Sequence, residues 1–498
     1  MRPLTRRQLL ALGLAGAGMT AAGGAGLWWS STWGTFGGAG EDLIQPPVLT
    51  ARDGALELTL KAAPARLRIG NRTANVQAFN GSLPGPTLRV RPGDTLRVRM
   101  VNQLEAPTNL HVHGLHVSPQ ANGDNPFVSI TAGGSFDYEY RIPEDHPAGT
   151  YWYHPHHHGH VADQIAAGLY GTILVEDPDP VPVTRERVLV VSDLSLDPDG
   201  NLSDVTPMGQ IMGREGQIVL VNGQLRPRLV ASAGERERWR IVNACPSRFL
   251  RLQLEGQTVR LLGRDVGRLP EPMDVTEIEL APGNRADLIV ETREGITQLV
   301  AAPVDRGSMA GMMGPMTGPL MGEDRPGAEE PVELLTLDVS GDPAAGPLAP
   351  IPEWDRLRDL RGDPIAARRT LAFAMGMGGV MVGGGGDSAA MMSFTVNGRT
   401  FDPDRLDETV AAGAVEEWTL SNSSPMDHPI HLHVWPMQVV EDGDRDLTEP
   451  LWLDVVNVPA RSQVKVLVAF DDFRGRTVFH CHILDHEDLG MMGTIEAR

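Results

Sequence analysis

The stretch from His480 to Met491 has the residue types and spacing of a metal site. His480, Cys481 and His482 are consecutive, His486 follows the cysteine by five positions, and Met491 follows it by ten. On a β-strand, His480 and His482 point to one face and Cys481 points to the other. A thiolate, an imidazole and a weakly bound thioether are the ingredients of a blue-copper centre. The stretch therefore predicts two metal sites joined by the short backbone between the cysteine and its flanking histidines.

Three other segments carry paired histidines. They are His111-Val112-His113, His154-Pro155-His156 and His428-Pro429-Ile430-His431-Leu432-His433. Histidines two positions apart share one face of a strand, so each pair can present two imidazoles to one site. A single histidine is more often a solvated or hydrogen-bonded side chain, but four spaced motifs together indicate metal binding.

With these four motifs in this order, the chain resembles the multicopper oxidases, specifically the three-domain laccase-like and cuprous-oxidase branch. The flanking words also match that family: "HVHG", "YWYHPHHHG", "SPMDHPIHLHVW" and "HCHILDHEDLGMM". The resemblance covers roughly residues 50–498. It implies an oxidase that collects single electrons from a donor and passes them to dioxygen.

The resemblance implies four copper ions, one of type 1, one of type 2 and two of type 3. The type 1 ion would be bound by His428, Cys481 and His486, with Met491 as the axial ligand. The other ligands would be His111 and His431 for type 2, and His113, His154, His156, His433, His480 and His482 for the type 3 pair. Eight imidazoles can hold three ions and still leave open positions for dioxygen. No ligand role is implied for His116, His146, His157, His158 and His160.

Three acidic residues match family positions near these ligands. Asp124 and Glu487 match positions associated with proton supply, which the reduction of dioxygen to water requires. Asp454 matches an acid close to the type 1 copper and is expected to receive a cationic substrate or the proton of an aromatic amine. In this family, the ligand that matches His486 usually lies near the surface, where electrons enter. The alternatives are a surface carboxylate or a hydrogen bond to a histidine for the first two acids, and a structural hydrogen bond for the third.

A threefold internal repeat predicts the architecture. Its copies begin at Asn80, Asn222 and Asn397, and each has an Asn-Gly turn, an alternating strand, a glycine turn and a second strand that ends in asparagine. We predict an all-β chain of three consecutive Greek-key β-sandwich domains, at residues 45–178, 183–345 and 366–498, which the resemblance identifies as cupredoxin-like. No histidine occurs between His160 and His428. The middle domain is therefore expected to be a copper-free spacer, with the trinuclear site between the first and third domains.

The N-terminal residues indicate export. Residues 1–40 are typical of a twin-arginine signal and linker, because Arg6 and Arg7 precede an apolar stretch diluted by glycine. We expect a periplasmic or secreted protein that the twin-arginine machinery exports; a single membrane anchor is the alternative. The only cysteines are Cys245 and Cys481, so copper binding by Cys481 leaves no intramolecular disulfide. Cys245 is expected to be a small buried residue.

Charge and composition narrow the function further. The formal net charge of −21 argues against nucleic acid as a partner and mildly favours cationic substrates. We expect a monomeric oxidase of phenols, aromatic amines or metal ions such as Cu(I), whose partners are these electron donors and dioxygen. Two alternatives remain, a copper-resistance protein that mainly binds copper and a copper-free structural relative of the family.

Two methionine-rich runs, residues 309–322 and 375–392, favour metal ions as donors because thioethers bind Cu(I). The second run lies where cuprous oxidases of the family carry a methionine-rich segment. A flexible loop in which methionine is an apolar filler is the alternative. On the first interpretation, both cuprous ions and bulky aromatic donors are oxidised.

Overall fold

The computed structural model describes residues 40–307, 330–344, 346, 348–354, 357–377, 392–443 and 445–498. The predicted export signal up to residue 39, the first methionine-rich run and residues 378–391 of the second run lie outside this described part. Within it, none of the helices has the length and apolar character needed to cross a membrane.

The strands fall into three consecutive sets. The first set is β1 (Val48–Thr50), β2 (Ala55–Ile69), β3 (Arg72–Phe79), β4 (Thr87–Val90), β5 (Thr95–Asn102), β6 (His111–His113), β7 (Ser135–Arg141), β8 (Gly149–His154) and β9 (Gly171–Val175), with helix α1 (Val161–Ala166) before β9. The second set is β10 (Arg185–Leu194), β11 (Ile218–Val221), β12 (Arg228–Ala231), β13 (Arg236–Asn243), β14 (Leu250–Leu254), β15 (Thr258–Arg264), β16 (Arg268–Asp274), β17 (Glu277–Leu280), β18 (Arg285–Glu291), β19 (Gly295–Ala302) and β20 (Val332–Val339), with helix α2 (Pro207–Met212) after β10. A 3-10 helix (Leu360–Gly362) precedes the third set, which is β21 (Ile365–Met377), β22 (Met392–Val396), β23 (Glu408–Val410), β24 (Val415–Asn422), β25 (His428–Leu432), β26 (Met437–Asp442), β27 (Arg445–Leu453), β28 (Val455–Val458), β29 (Gln463–Ala469), β30 (Gly475–Cys481) and β31 (Met492–Ala497), with helix α3 (Leu484–Asp488) before β31.

Each set forms two sheets around a core of buried apolar side chains. The strand orders are β1-β4-β9-β8-β6 and β3-β2-β5-β7 in the first set, β11-β10-β13-β18-β15-β16 and β12-β20-β19-β14-β17 in the second, and β22-β21-β24-β29-β26-β27 and β23-β31-β30-β25-β28 in the third. The prediction of an all-β chain is confirmed, whereas the predicted domain boundaries stay predictions. Cys245 is buried in the core of the second set, as expected.

The sequence repeat corresponds to a turn that occurs three times. Asn80, Asn222 and Asn397 all have a left-handed backbone, with φ of 52°, 51° and 52°. Asparagine tolerates this conformation better than most residues, and the glycine that follows each one adopts it without cost. The Asn-Gly turn therefore reverses the direction of the chain at equivalent places in the three sets.

The asparagine that ends each repeat is buried and organises the loop after it. The side-chain oxygen of Asn422 accepts a hydrogen bond from the backbone two residues later, and its amide donates to Met426 O and Val458 O. Asn102 and Asn243 make the same kinds of bonds in the other two sets. In the first and third sets, the loop leads into the strands that carry histidine motifs, β6 and β25.

Strand register places the histidine motifs side by side. β25 pairs with β30, so that His431 lies opposite His480, and β6 pairs with β8, so that His111 lies opposite His154. Cys481 packs in the apolar core of the third set. The neighbouring His480 instead contacts an imidazole of the first set. The alternation of side chains along β30 therefore separates the thiol from the histidines.

Candidate metal centres

One group of side chains in the third set combines a thiol with two imidazoles. Nδ1 of His428 lies 3.4 Å from Sγ of Cys481, and Nδ1 of His486 lies 3.8 Å from it. All three residues are buried, and Met491 packs in the same core as the cysteine. Nε2 of His486 donates to Ile211 O over 2.9 Å. Because a carbonyl only accepts, Nδ1 of this ring carries the lone pair that faces the thiol.

Three of the predicted type 3 ligands form a close group between the first and third sets. Nε2 of His156 lies 3.0 Å from Nε2 of His480 and 3.2 Å from Nε2 of His433. The Nε2 atoms of His433 and His480 are 3.3 Å apart. Three neutral imidazoles cannot satisfy three converging lone pairs among themselves, whereas one bound cation can accept all three.

The remaining predicted ligands lie next to this group. Nε2 of His111 lies 3.3 Å from Nε2 of His431, and Nδ1 of His113 lies 3.3 Å from Nε2 of His154. The ring centre of His482 is 4.9 Å from that of His113. Neither nitrogen of His482 has a hydrogen-bond partner among the described residues. A buried imidazole without partners is costly, and metal binding would remove that cost.

Backbone carbonyls orient three of these rings. Nδ1 donates to Pro155 O in His154, to Asp454 O in His431 and to Cys481 O in His480, over 2.7–3.0 Å. Because each acceptor is a carbonyl, each Nδ1 carries the hydrogen and each Nε2 keeps its lone pair. The main chain therefore selects the tautomer in which Nε2 can bind a metal.

Burial keeps the imidazoles neutral, which is the form that binds metal. It lowers the pKa of His156 and His480 to about 4 and that of His428 to about 3. Burial also raises the pKa of the Cys481 thiol. The thiolate that copper requires would therefore form together with metal binding, because a bound cation deprotonates a coordinating thiol.

Asp124 is buried against ligands from both the first and third sets. Its Oδ1 accepts hydrogen bonds from Nδ1 of His111 over 2.9 Å and from Val112 N over 3.1 Å. Its Oδ2 lies 3.6 Å from Nδ1 of His433. Burial raises the pKa of this carboxyl to about 8. The carboxyl group can therefore orient His111, and it can hold a proton near neutral pH beside the imidazoles.

Glu487 is fully buried beside the three-histidine group. Its Oε2 lies 3.1 Å from Nδ1 of His480, and its Oε1 lies 3.4 Å from Nε2 of His156. Neither oxygen has a well-aligned hydrogen-bond partner within the described chain. Burial raises the pKa of this carboxyl to about 7. A buried carboxyl of this kind has the chemistry of a proton donor and acceptor near neutral pH.

The prediction that Asp454 receives a substrate is wrong, because its carboxylate is buried among the predicted trinuclear ligands. Oδ1 accepts a hydrogen bond from Nη1 of Arg285 over 2.6 Å, and Oδ2 lies 3.1 Å from Nε2 of His113. Arg285 comes from β18 of the middle set and is itself fully buried. From the same set, Gly283 lies so close to His482 that an added Cβ would come within 2.8 Å of Nε2. The middle set therefore shapes the histidine site and is more than a spacer.

The middle set also covers the predicted type 1 group, so the expectation that His486 lies near the surface is wrong. The ring is fully buried, because Ile211 of α2 accepts its Nε2 hydrogen and Phe394 stacks on it with ring centres 4.5 Å apart. The residue that follows α2 by two, Arg214, donates from Nη2 to Oδ1 of Asp485 over 2.6 Å. This ion pair attaches the cover to the segment that carries His486.

The five histidines without a predicted ligand role make other contacts, and none of them joins a metal-ligand group within the described residues. They are His116, His146, His157, His158 and His160. Sequence reasoning missed Arg285, although one signal was present. The equivalent strands of the other two sets begin with Ser135 and Gln463, whereas this strand begins with a buried arginine.

Comparisons with known proteins agree with this geometry. Two family models described as multicopper oxidase match residues 62–180 and residues 381–498. A multicopper oxidase of Staphylococcus haemolyticus (strain JCSC1435) is 27% identical over 472 residues, which cover 91% of this chain and 92% of the relative. A laccase of Bacillus subtilis (strain 168) is 26% identical over 517 residues, with coverage of 91% and 96%.

The fold is also similar to solved structures. A multicopper oxidase from Campylobacter jejuni, described as a metallo-oxidase, superimposes with a TM-score of 0.79 at 29% sequence identity. The match covers 92% of this chain and 95% of the other. It confirms the predicted cupredoxin-like fold.

Proposed function

Because this chain belongs to the multicopper oxidases, we propose that it oxidises phenols, aromatic amines or metal ions such as Cu(I) one electron at a time and reduces dioxygen to water with four electrons. One observation carries the proposal. Eight buried imidazoles from the first and third sets converge on one face of β30, while Cys481 meets two further imidazoles on the other face. A single strand thus joins an electron-accepting site to a site for dioxygen.

Four copper ions would complete these sites. The type 1 ion would be held by His428, Cys481, His486 and Met491, the type 2 ion by His111 and His431, and the type 3 pair by His113, His154, His156, His433, His480 and His482. When bound, the ions supply one-electron redox chemistry and a binding place for dioxygen. The protein supplies neutral imidazoles whose tautomers are fixed by backbone carbonyls, a buried thiol and an environment that excludes water.

We assign proton delivery to Asp124 and Glu487. The formation of two water molecules consumes four protons, and both carboxyl groups contact imidazoles of the proposed trinuclear site. Their burial favours the protonated form near neutral pH, so each can give up a proton and take another. For Asp454 we propose a positioning role through His113, in place of contact with substrate.

The absorption spectrum of copper-loaded protein tests the proposal. We expect the intense visible band of a copper–thiolate bond together with the near-ultraviolet band of a coupled type 3 pair, and oxygen uptake with phenolic and arylamine donors. A Cys481→Ser variant should lose the visible band and keep the other one. Copper binding without oxygen uptake would favour a copper-resistance protein, and failure to bind copper would favour a copper-free structural relative.

Deletion of the second methionine-rich run addresses the donor class. Met375 is buried in the core of the third set and Met377 pairs with Met392 across β21 and β22. A deletion restricted to residues 378–391, closed by an Asn-Gly turn, therefore spares the two strands. If Cu(I) is a donor captured by thioethers, cuprous oxidation should fall while oxidation of large organic dyes is kept or rises. A parallel fall of both activities would mean that the segment is structural.

For the compartment, we propose periplasmic or secreted location after twin-arginine export, and a monomer in solution. The paired arginines Arg6 and Arg7 before an apolar stretch support export of the folded, metal-loaded protein. Replacing both arginines with lysine should leave the protein inside the cell. Export of that variant at the normal level would exclude this route.

A further inference from the structure

Arg306 is a buried arginine whose backbone lies beside the type 1 group. Its carbonyl accepts a hydrogen bond from Asp427 N over 2.8 Å, and the next residue, Gly307, forms an antiparallel bridge with Met426. Asp427 immediately precedes His428. The arginine therefore follows β19 of the middle set but is attached to the segment that carries the first type 1 ligand.

The guanidinium group contacts the segment after α2, the helix that covers the type 1 group. Its Nη2 donates over 3.2 Å to the carbonyl oxygen of Gly213, the residue directly after α2. At Gly213 an added Cβ would come within 2.5 Å of the Ile483 side chain, two residues after Cys481. Nε and Nη1 of Arg306 have no hydrogen-bond partner in the described part of the chain. Only 3% of the residue is exposed, so water screens its charge poorly.

One carboxylate pairs with this charge and is shared with a second arginine. Oε1 of Glu215 lies 3.1 Å from Nη2 of Arg306, and Oε2 of Glu215 lies 3.2 Å from Nη1 of Arg248. Arg248 in turn donates to Asp193. The four groups form a chain of alternating charge that ends in the guanidinium of Arg306 at the type 1 side.

The guanidinium end of this chain lies close to the thiol of the type 1 group. Nη2 of Arg306 donates to Gly213 O, and Gly213 packs against the side chain of Ile483. Ile483 N in turn donates to Sγ of Cys481 over 3.4 Å. A buried positive charge is therefore linked to the thiol through two hydrogen bonds and one packing contact.

We propose that Arg306 is a redox-tuning residue, whose fixed positive charge raises the reduction potential of the type 1 site and so widens the range of donors that the protein can oxidise. This proposal rests on the proposed function, because it requires copper at His428, Cys481 and His486. When a donor passes one electron to the site, the charge of the site falls by one, and a nearby positive charge favours the reduced state. The donor loses that electron and becomes a radical cation, a neutral radical with release of a proton, or Cu(II) from Cu(I).

The size of the effect follows from Coulomb's law. Unit charges about 10 Å apart, in a surrounding with an effective dielectric constant of about 20, change an equilibrium constant by roughly tenfold. For a one-electron couple, a tenfold change corresponds to about 59 mV. Oxidation of donors with high reduction potentials should be affected most, because for them the driving force of the first electron transfer is smallest.

A charge series at two positions tests the proposal. The reduction potential of the type 1 site is measured by redox titration, with the visible copper–thiolate band as the signal. The proteins compared are copper-loaded wild type, Arg306→Met, Arg306→Lys and Glu215→Gln. We expect the reduction equilibrium constant to fall about tenfold in R306M, to stay near that of wild type in R306K, and to rise in E215Q, because this last change removes the balancing negative charge. The near-ultraviolet band and the copper content serve as controls for folding.

Opposite signs in R306M and E215Q are the decisive outcome, because loss of packing would shift both potentials in the same direction. Equal potentials in wild type and R306M, or a shift of the same sign in both variants, would overturn the proposal. If R306M does not fold, the sign of the shift in E215Q alone decides. Absence of the visible band in wild-type protein would instead contradict the proposed function.

Discussion

Nη1 of Arg285 lies 2.6 Å from Oδ1 of Asp454, although the two residues are 169 positions apart and belong to different sets of strands. The second carboxylate oxygen lies 3.1 Å from Nε2 of His113, whose Nδ1 faces His154. A residue of the middle set thereby determines how a proposed type 3 ligand presents its nitrogen. Partners that orient metal ligands typically change metal affinity by 10- to 100-fold when they are removed.

Replacing Asp454 with asparagine should therefore weaken copper binding at the type 3 pair by about 10- to 100-fold. The amide cannot pair with Arg285 as a carboxylate does, so the guanidinium and His113 both lose a defined orientation. Copper content and the near-ultraviolet band should fall while the visible type 1 band remains. Asp137→Asn, at an exposed salt bridge with Arg99, is a matched control and should change neither band. Normal type 3 absorption in D454N would contradict the positioning role.

Glu487→Gln should keep bound copper and the blue colour but slow turnover by about 100-fold or more, as expected for the loss of a general acid or base. Steady-state oxygen uptake is the measurement. The neighbouring Asp488 provides the control, because its carboxylate accepts hydrogen bonds from Gly159, Val161 and Ala162 and so attaches α1 to α3. Asp488→Asn should lower stability with little effect on turnover at low temperature. Unchanged oxygen uptake in E487Q would remove Glu487 from the proton pathway.

Substitution of Asn422 and Asn243 tests whether the loop after each repeat defines the metal site or only stabilises the fold. The side-chain amide donates to three carbonyls in Asn422 and to two in Asn243, and each side-chain oxygen accepts a hydrogen bond from the backbone two residues later. Alanine at either position should lower the free energy of unfolding by about 2–4 kcal/mol, because buried carbonyls lose their donors. Only N422A should also shift the visible copper band, since its loop leads into His428. Identical spectra of the two variants would show that the loop does not define the type 1 geometry.

Copper removal should loosen the contact between the first and third sets. The proposed trinuclear ligands come from both, so bound metal holds them together and stabilises the folded chain by about 4 kcal/mol when free metal exceeds its dissociation constant a thousandfold. In the apo-protein, hydrogen exchange should increase first in β6, β8 and β25. Exchange in β19 and β20, in the other sheet of the middle set, should change least. Equal protection of β6 with and without copper would argue against metal bridging.

The sequence by itself determined the local features of this protein. Residues two apart on a strand share a face, so the His-Cys-His motif already separated the thiol from the two histidines. The Asn-Gly turns predicted the three repeats because their left-handed backbone is a property of those two residue types. The family resemblance supplied the ligand groups, and the structure brings the same residues together.

Only the tertiary structure decided which distant groups surround the ligands. Asp454 faces His113 because Arg285 holds it from another set, and His486 is covered because Ile211 reaches it across 275 positions. Arg306 comes close to His428 through a bridge between Gly307 and Met426. Such contacts leave no periodic pattern in the chain, because they depend on how three separately formed pairs of sheets pack against one another.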